Sequence, residues 1–176
     1  MPNPKPKITT FKLARFLLRK SHSDFRRNGT IAGNVANHME NELKKDIQSI
    51  IDYSHKFAEH MLNNGKEYYP FGAQIENSGE LVAVGHKDNE TDFPESQKVI
   101  DELKSEFEKQ FADGKIKAYG LTYDVRVQIN DLGDKSDAIC VDITHRKSND
   151  IPRYYFTYSW NENDELTFGQ SFGMKK

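Results

Sequence analysis

Three residues of this sequence have side chains that commonly move protons in enzymes. His86 and His145 each fall at the end of a predicted strand, and Glu95 falls at the start of a predicted helix. An imidazole and a carboxyl group held near a substrate can act as a paired base and acid. A histidine satisfied by hydrogen bonds at the edge of the core fits the same positions. We favour that second interpretation and keep His86, Glu95 and His145 as the catalytic candidates of an alternative hypothesis.

The single cysteine, Cys140, limits the chemistry further. One cysteine cannot form an internal disulfide or supply a cysteine-rich metal site. A nucleophilic cysteine needs a neighbouring base or cation that lowers its pKa, and the sequence around Cys140 identifies none. We therefore expect a small packed side chain at this position, and we predict neither a metal site nor a cofactor.

Six polar residues on neighbouring predicted strands are candidates for a binding surface. Strand parity predicts that they share the polar face of a sheet whose other face is apolar. Such a face is either a ladder of ion pairs exposed to water or a surface that anchors a partner, for which arginine and tyrosine are typical. We predict a protein partner at this face. Its residues are Asp124, Arg126, Asp142, Arg146, Arg153 and Tyr155.

Hydrophobic periodicity indicates the elements that would position these residues. One helix is predicted from Met39 to a stop at 63–65, and a second follows a capping box formed by Asp92 and Glu95. Alternating residues predict strands near 68–75, 81–86, 116–129, 139–146, 153–160 and 166–172. The sequence therefore predicts an α+β domain with the order α-β-β-α-β-β-β-β. A mainly antiparallel sheet of five to six strands packs against two helices.

Residues 1–38 differ from the rest of the chain in charge. They hold 8 of the 25 basic and 1 of the 27 acidic residues, a net charge of +7, which leaves 17 basic and 26 acidic residues, a net −9, in 39–176. Phe11 and further apolar residues are interspersed with Lys12 and other basic residues, which predicts a short amphipathic helix suited to an anionic membrane surface or to organelle targeting. A disordered or start-site extension is the interpretation that we favour.

Composition bears on location and on some classes of partner. The acidic residues of 39–176 make this part of the chain a poor ligand for nucleic acid. The apolar runs fall far short of the roughly 20 residues that cross a bilayer, and the first residues lack the pattern of a signal peptide. A length of 176 residues suits one domain. We expect a cytoplasmic protein with a single domain at 39–176.

The segment Pro70-Phe71-Gly72-Ala73, with the strand Leu81-Val82-Ala83-Val84-Gly85-His86, resembles the opening of the cytidine and guanine deaminase superfamily. That resemblance implies a zinc site made by a His or Cys at the next helix and a Pro-Cys-x-x-Cys pair after the following strand. This chain has Asp92-Phe93-Pro94-Glu95 and Lys117-Ala118-Tyr119-Gly120 at those places. Since all three ligand positions lack a ligand, we do not expect zinc-dependent deamination.

From Tyr69 to the C-terminus the chain is similar to a family of uncharacterised single-domain bacterial proteins. The matching residues are Pro70-Phe71-Gly72, Asp124-Val125-Arg126-Val127, Asp137-Ala138-Ile139 and His145-Arg146. The resemblance implies a domain that starts near Met39, and it implies no mechanism.

Two hypotheses of different classes follow. The leading one is a small cytoplasmic binding module without catalytic machinery, of the immunity-protein kind that neutralises a partner by covering it. The alternative is a zinc-independent hydrolase on a deaminase-like scaffold that uses His86, Glu95 or His145. Acid–base groups that line one pocket would favour the hydrolase, whereas a flat polar sheet face would favour the module.

Overall fold

A computed structural model describes residues 9–11, 31–86, 95–130 and 133–176, with side chains from Met39 onward. Two helices lie in these ranges, α1 (Ile31–Gly65) and α2 (Ser96–Ala112). The strands are β1 (Thr9–Phe11), β2 (Phe71–Glu76), β3 (Leu81–Gly85), β4 (Ile116–Gln128), β5 (Lys135–His145), β6 (Arg153–Trp160) and β7 (Leu166–Met174). Neither described helix is both long and apolar enough to cross a membrane.

The described strands form one antiparallel sheet in the order β1-β3-β2-β4-β5-β6-β7. Strands β2 to β7 and the two helices confirm the predicted α+β fold and its order of elements. Strand β1 was not predicted. It comes from the basic leader and pairs with β3 at the edge of the sheet, with Thr10 opposite Val84.

Helix α1 begins earlier than its hydrophobic periodicity predicts. It starts at Ile31, eight residues before Met39, so the last part of the leader, 31–38, is helical. The leader helix predicted near Phe11 falls almost wholly outside the described residues, and Phe11 itself ends β1. A domain boundary near Met39 stays a prediction.

Helix α2 begins later than the sequence predicts. Glu95 is its N-cap residue rather than the third residue of the helix, and the Glu95 side chain makes no capping hydrogen bond. The capping box is therefore wrong, and Asp92 lies outside the described residues. At the other end, Gly114 follows the helix with a φ of 75°, a conformation that favours glycine.

The two helices pack on opposite faces of the sheet. Ile50 of α1 belongs to a core cluster with Val141 and Ile143, whereas Leu103 and Phe107 of α2 belong to a second cluster on the other face. The expected sheet with one apolar and one polar face is thus wrong. Each helix covers its own part of the sheet, since α1 packs on β2, β4 and β5, and α2 packs on β2 and β4.

Candidate functional site

The His145 side chain is fully buried beneath α1. Its Nε2 lies 3.2 Å from Asp46 Oδ2, and its Nδ1 accepts a hydrogen bond of 3.0 Å from the backbone N–H of Lys147. An Nδ1 that accepts leaves Nε2 to carry the proton that is donated to Asp46. Both ring nitrogens are therefore engaged within the protein, and His145 has no free nitrogen to offer a substrate.

A network of charges extends from this histidine and holds α1 to the sheet. Lys117 Nζ lies 2.7 Å from Asp46 Oδ2 and 2.9 Å from Glu42 Oε1, and Lys147 also pairs with Glu42. The hydrogen bonds from Lys147 and Lys117 lower the pKa of Glu42 to about 2. Burial lowers the pKa of Lys117, but its bonds to Asp46 and Glu42 outweigh burial and raise it. The network is structural.

His86 lies on the opposite face of the sheet, beside α2. Its side chain is 4% exposed, and its Nδ1 is 3.2 Å from Glu102 Oε2, although neither ring nitrogen makes a well-aligned hydrogen bond with a described residue. Glu95 is exposed at the start of α2. Because the sheet separates His86 from His145, these two candidates do not form an acid–base pair.

The register of the sheet divides the predicted binding residues between two faces. Asp124 is opposite Ile139, and Tyr158 donates a hydrogen bond of 2.9 Å to Asp124 Oδ1, which places Asp124 on the α1 side. Asp142 is opposite Arg153 and bonds to it on the other side. A face shared by all six residues is therefore wrong.

The remaining predicted residues follow the same division. Arg126, two residues after Asp124, lies on the α1 side, is exposed and makes no ion pair with a described residue. Arg146 lies on the α2 side. Its Nε donates a hydrogen bond of 2.8 Å to the carbonyl oxygen of Ile116, and its guanidinium carbon lies 4.4 Å from the centroid of the Phe111 ring. Arg146 thus joins the end of α2 to the sheet.

Three of the predicted binding residues do lie together. Asp142, Arg153 and Tyr155 are on the α2 side of β5 and β6, beyond the strands on which α2 packs. Phe172 of β7 is directly opposite Tyr155, and the two rings stack with centroids 5.3 Å apart. We call the surface formed by Asp142, Arg153, Tyr155, Phe172 and Lys176 the open face.

Asp142 organises the cations of the open face. Its Oδ2 accepts a hydrogen bond of 2.8 Å from Arg153 Nε, and its Oδ1 lies 2.5 Å from Lys176 Nζ. Burial raises the pKa of Asp142, but the hydrogen bonds from Lys176 and Arg153 outweigh burial and lower it. Arg153 is still 42% exposed and Lys176 is 34% exposed, so both cations can meet a partner.

Cys140 lies beneath the open face, directly opposite Tyr123 on one side and Tyr155 on the other. It is 1% exposed, and burial raises the pKa of its thiol. This agrees with the expected packed side chain. A reactive cysteine needs the reverse, an accessible thiol with a lowered pKa.

Sequence reasoning did not identify Phe172 and Lys176 as parts of this surface. The alternation of Leu166, Phe168 and Phe172 indicated a strand, but a β-bulge in the β6–β7 pairing moves Phe172 to the face opposite Phe168. Lys176 follows the last strand, where no periodic pattern applies.

The described residues contain no group of three or more His, Cys, Asp or Glu side chains placed to hold a metal ion. No protein-family model, curated protein or solved structure matches the chain. The candidate site is therefore defined by its geometry alone.

Proposed function

We propose that this protein is a binding module and that the open face anchors a protein partner. The observation that supports the proposal most is the placement of Arg153 and Tyr155. Both are fixed on a part of the sheet that no described helix covers. Arginine and tyrosine dominate the binding energy of many interfaces.

The contacts of Arg153 and Tyr155 favour binding over mere exposure to water. Asp142 holds the guanidinium, and stacking on Phe172 holds the Tyr155 ring. Side chains that are fixed before association lose less conformational entropy when a partner arrives, so more of the contact energy appears as affinity.

Charge indicates the chemistry of the partner. Arg153 and Lys176 are two cations that share one carboxylate, Asp142. The surplus positive charge and the adjacent aromatic rings suit a partner surface that carries carboxylates and apolar side chains. A cytoplasmic location and an immunity-like role, in which the module covers its partner, are parts of this proposal. They rest on small size, acidic composition and the single unpaired cysteine.

The hydrolase alternative rests on a different observation, the buried approach of His86 to Glu102. A carboxylate beside an imidazole can orient a general base. His145 and Glu95 do not join this pair, which is why the binding module has the stronger support. Loss of a measured hydrolytic activity on His86→Gln, with unchanged stability, would favour the hydrolase.

A photo-cross-linking experiment tests the location of the binding surface. Phe172 and Phe168 lie on the same strand, but Phe172 stacks on Tyr155 whereas Phe168 contacts His55 of α1. We expect p-benzoylphenylalanine at position 172 to cross-link a partner in lysate, and the same group at position 168 to give a much weaker product. Equal products from both positions, or a product from position 168 alone, would refute the open face as the anchor.

A further inference from the structure

A cavity of about 280 Å³ lies on another part of the molecule, near the end of β2. The connection from α1 to β2 forms one wall, and side chains from α2, β4 and β6 complete it. Its lining residues are Lys66, Glu67, Tyr68, Tyr69, Ser96, Asp124 and Tyr158. Because β2 begins at Phe71, opposite Thr122, β4 continues past this end of β2 and carries Asp124 into the gap.

Asp124 has no cationic partner in the described part of the chain. Its Oδ1 accepts a hydrogen bond of 2.9 Å from the Tyr158 hydroxyl. Lys66 also lines the cavity, but its ammonium group pairs with Asp164 and lies 5.4 Å from the Trp160 ring centroid. Burial raises the pKa of Asp124 above its usual range, and the Tyr158 bond reverses this only in part. Asp124 is nevertheless exposed at the cavity, so a cation that enters can reach its carboxylate.

Tyr68 supplies the second, independent observation. The residue is 8% exposed, and its buried hydroxyl has no hydrogen-bond partner among the described residues. An unsatisfied buried hydroxyl is unfavourable, so such a group usually has a partner in the working protein. Tyr68 and Asp124 line the same cavity.

We propose that this cavity binds an organic cation with N–H donors, either a primary ammonium or a guanidinium group. Such a cation can donate to Asp124 and to the hydroxyl oxygens of Tyr68 and Tyr158, while the tyrosine rings favour positive charge near their faces. Glu67 adds a carboxylate to the lining. The volume is near the lower end for ligand pockets, so it suits a small amine or one lysine or arginine side chain.

Titration of the full-length protein with n-butylammonium, followed by NMR or calorimetry, tests this assignment. The uncharged n-butanol has a similar shape and serves as the ligand control. N-acetyl-lysine methylamide distinguishes a protein side chain from a free amine as the natural source. The variants are Asp124→Asn and Tyr68→Phe, and Asp150→Asn serves as the matched control on an exposed loop.

We expect saturable binding of n-butylammonium that weakens at least tenfold in Asp124→Asn, about 1.4 kcal/mol, and is unchanged in Asp150→Asn. Tyr68→Phe should weaken binding without lowering the melting temperature of the free protein, because the Tyr68 hydroxyl bonds to no described residue. Tighter binding of the lysine derivative would identify a protein side chain as the source, and tighter binding of the simple amine would identify a small molecule.

The assignment is wrong if no amine shows saturable binding at about 10 mM, a concentration that detects even millimolar affinity. Equal binding of n-butanol, or equal amine affinity in the wild type and both cavity variants, would also overturn it. Since Tyr68→Phe removes one atom, it keeps the test decisive even where Asp124→Asn folds poorly. None of these outcomes bears on the open face, which lies on the other side of the sheet.

Discussion

Gly120 of β4 lies directly against Ile50 of α1. A Cβ atom on Gly120 would be 2.3 Å from Ile50 Cγ2, far inside van der Waals contact. On the other face, a Cβ atom on Gly72 would be 2.6 Å from the Phe107 ring of α2. The two glycines therefore allow both helices to approach the sheet closely, in each case because a side chain is absent.

Gly120→Ala should destabilise the protein by about 1–3 kcal/mol, the usual cost of an overpacked core. Ile50 is β-branched and fully buried, so its γ-methyl cannot rotate away without a new clash. Gly65→Ala is the matched control, because no atom outside its chain neighbours and its own helix backbone lies within 4 Å of its Cβ position. Urea denaturation of both variants measures the effect, and equal midpoints would show that α1 is not packed this closely.

His145→Ala should lower stability by about 1–3 kcal/mol, because it removes a hydrogen-bond partner from buried Asp46 and from the N–H of Lys147. His60→Ala, at an exposed position of α1, should have little effect. Thermal unfolding of both variants is the measurement. A His145→Ala variant as stable as the wild type would contradict a structural role for this histidine.

Asp142→Asn should give a stability loss that depends on pH. The pKa of Asp142 is lower in the folded protein than the value of about 3.9 expected in the unfolded chain. Its ionic contribution is therefore complete above that unfolded value and is lost as the pH falls through the folded value. Denaturation at a series of pH values should show a smaller difference in unfolding free energy between the variant and the wild type below about pH 4 than at neutral pH. Asp150→Asn is the control, because the Asp150 carboxylate makes no ion pair with a described residue. If the stability difference between Asp142→Asn and the wild type stays constant with pH, Asp142 does not form stabilising ion pairs.

Cys140 should resist thiol reagents in the native protein. Burial both hides the thiol and raises its pKa, so little thiolate is exposed at neutral pH. We expect labelling by a disulfide reagent to rise with urea in parallel with global unfolding. Stoichiometric labelling of the folded protein within minutes would instead indicate an accessible and reactive cysteine.

The order of the elements was predictable because each helix and strand carries its own periodic pattern. The assignment of residues to the two faces of the sheet was not predictable, because parity within a strand does not say which helix covers which side. Leu121 packs under α2, whereas Val141 on the next strand packs under α1, so the apolar sides of neighbouring strands point in opposite directions. Thr122 shows the reason, since it is buried on the α1 side and donates to Ser54 Oγ at 2.8 Å. A satisfied polar residue in the core looks, in sequence, like a residue exposed to water.

The candidate site was predictable in part for the same reason. Arg153, Tyr155 and Asp142 share a face, as strand parity predicted, because Asp142 lies directly opposite Arg153 in the pairing of the consecutive strands β5 and β6. Asp124 and Arg126 were wrongly added to that group, since their strand presents its polar residues to α1 and its apolar residues to α2. The cavity beside Tyr68 is lined by residues that lie far apart in the chain, so no local sequence pattern predicts it.

Arg153 and Arg126 provide the most direct test of the open face, because they lie on opposite sides of the same sheet and both are accessible. The measurement is the affinity of Arg153→Ala and Arg126→Ala for the partner cross-linked through position 172, together with the stability of each variant. We predict that Arg153→Ala weakens binding at least tenfold, about 1.4 kcal/mol, while Arg126→Ala binds as the wild type does. Both should change stability by less than about 1 kcal/mol, as exposed arginines do. Full affinity in Arg153→Ala, or a loss confined to Arg126→Ala, would contradict the open face as the binding surface.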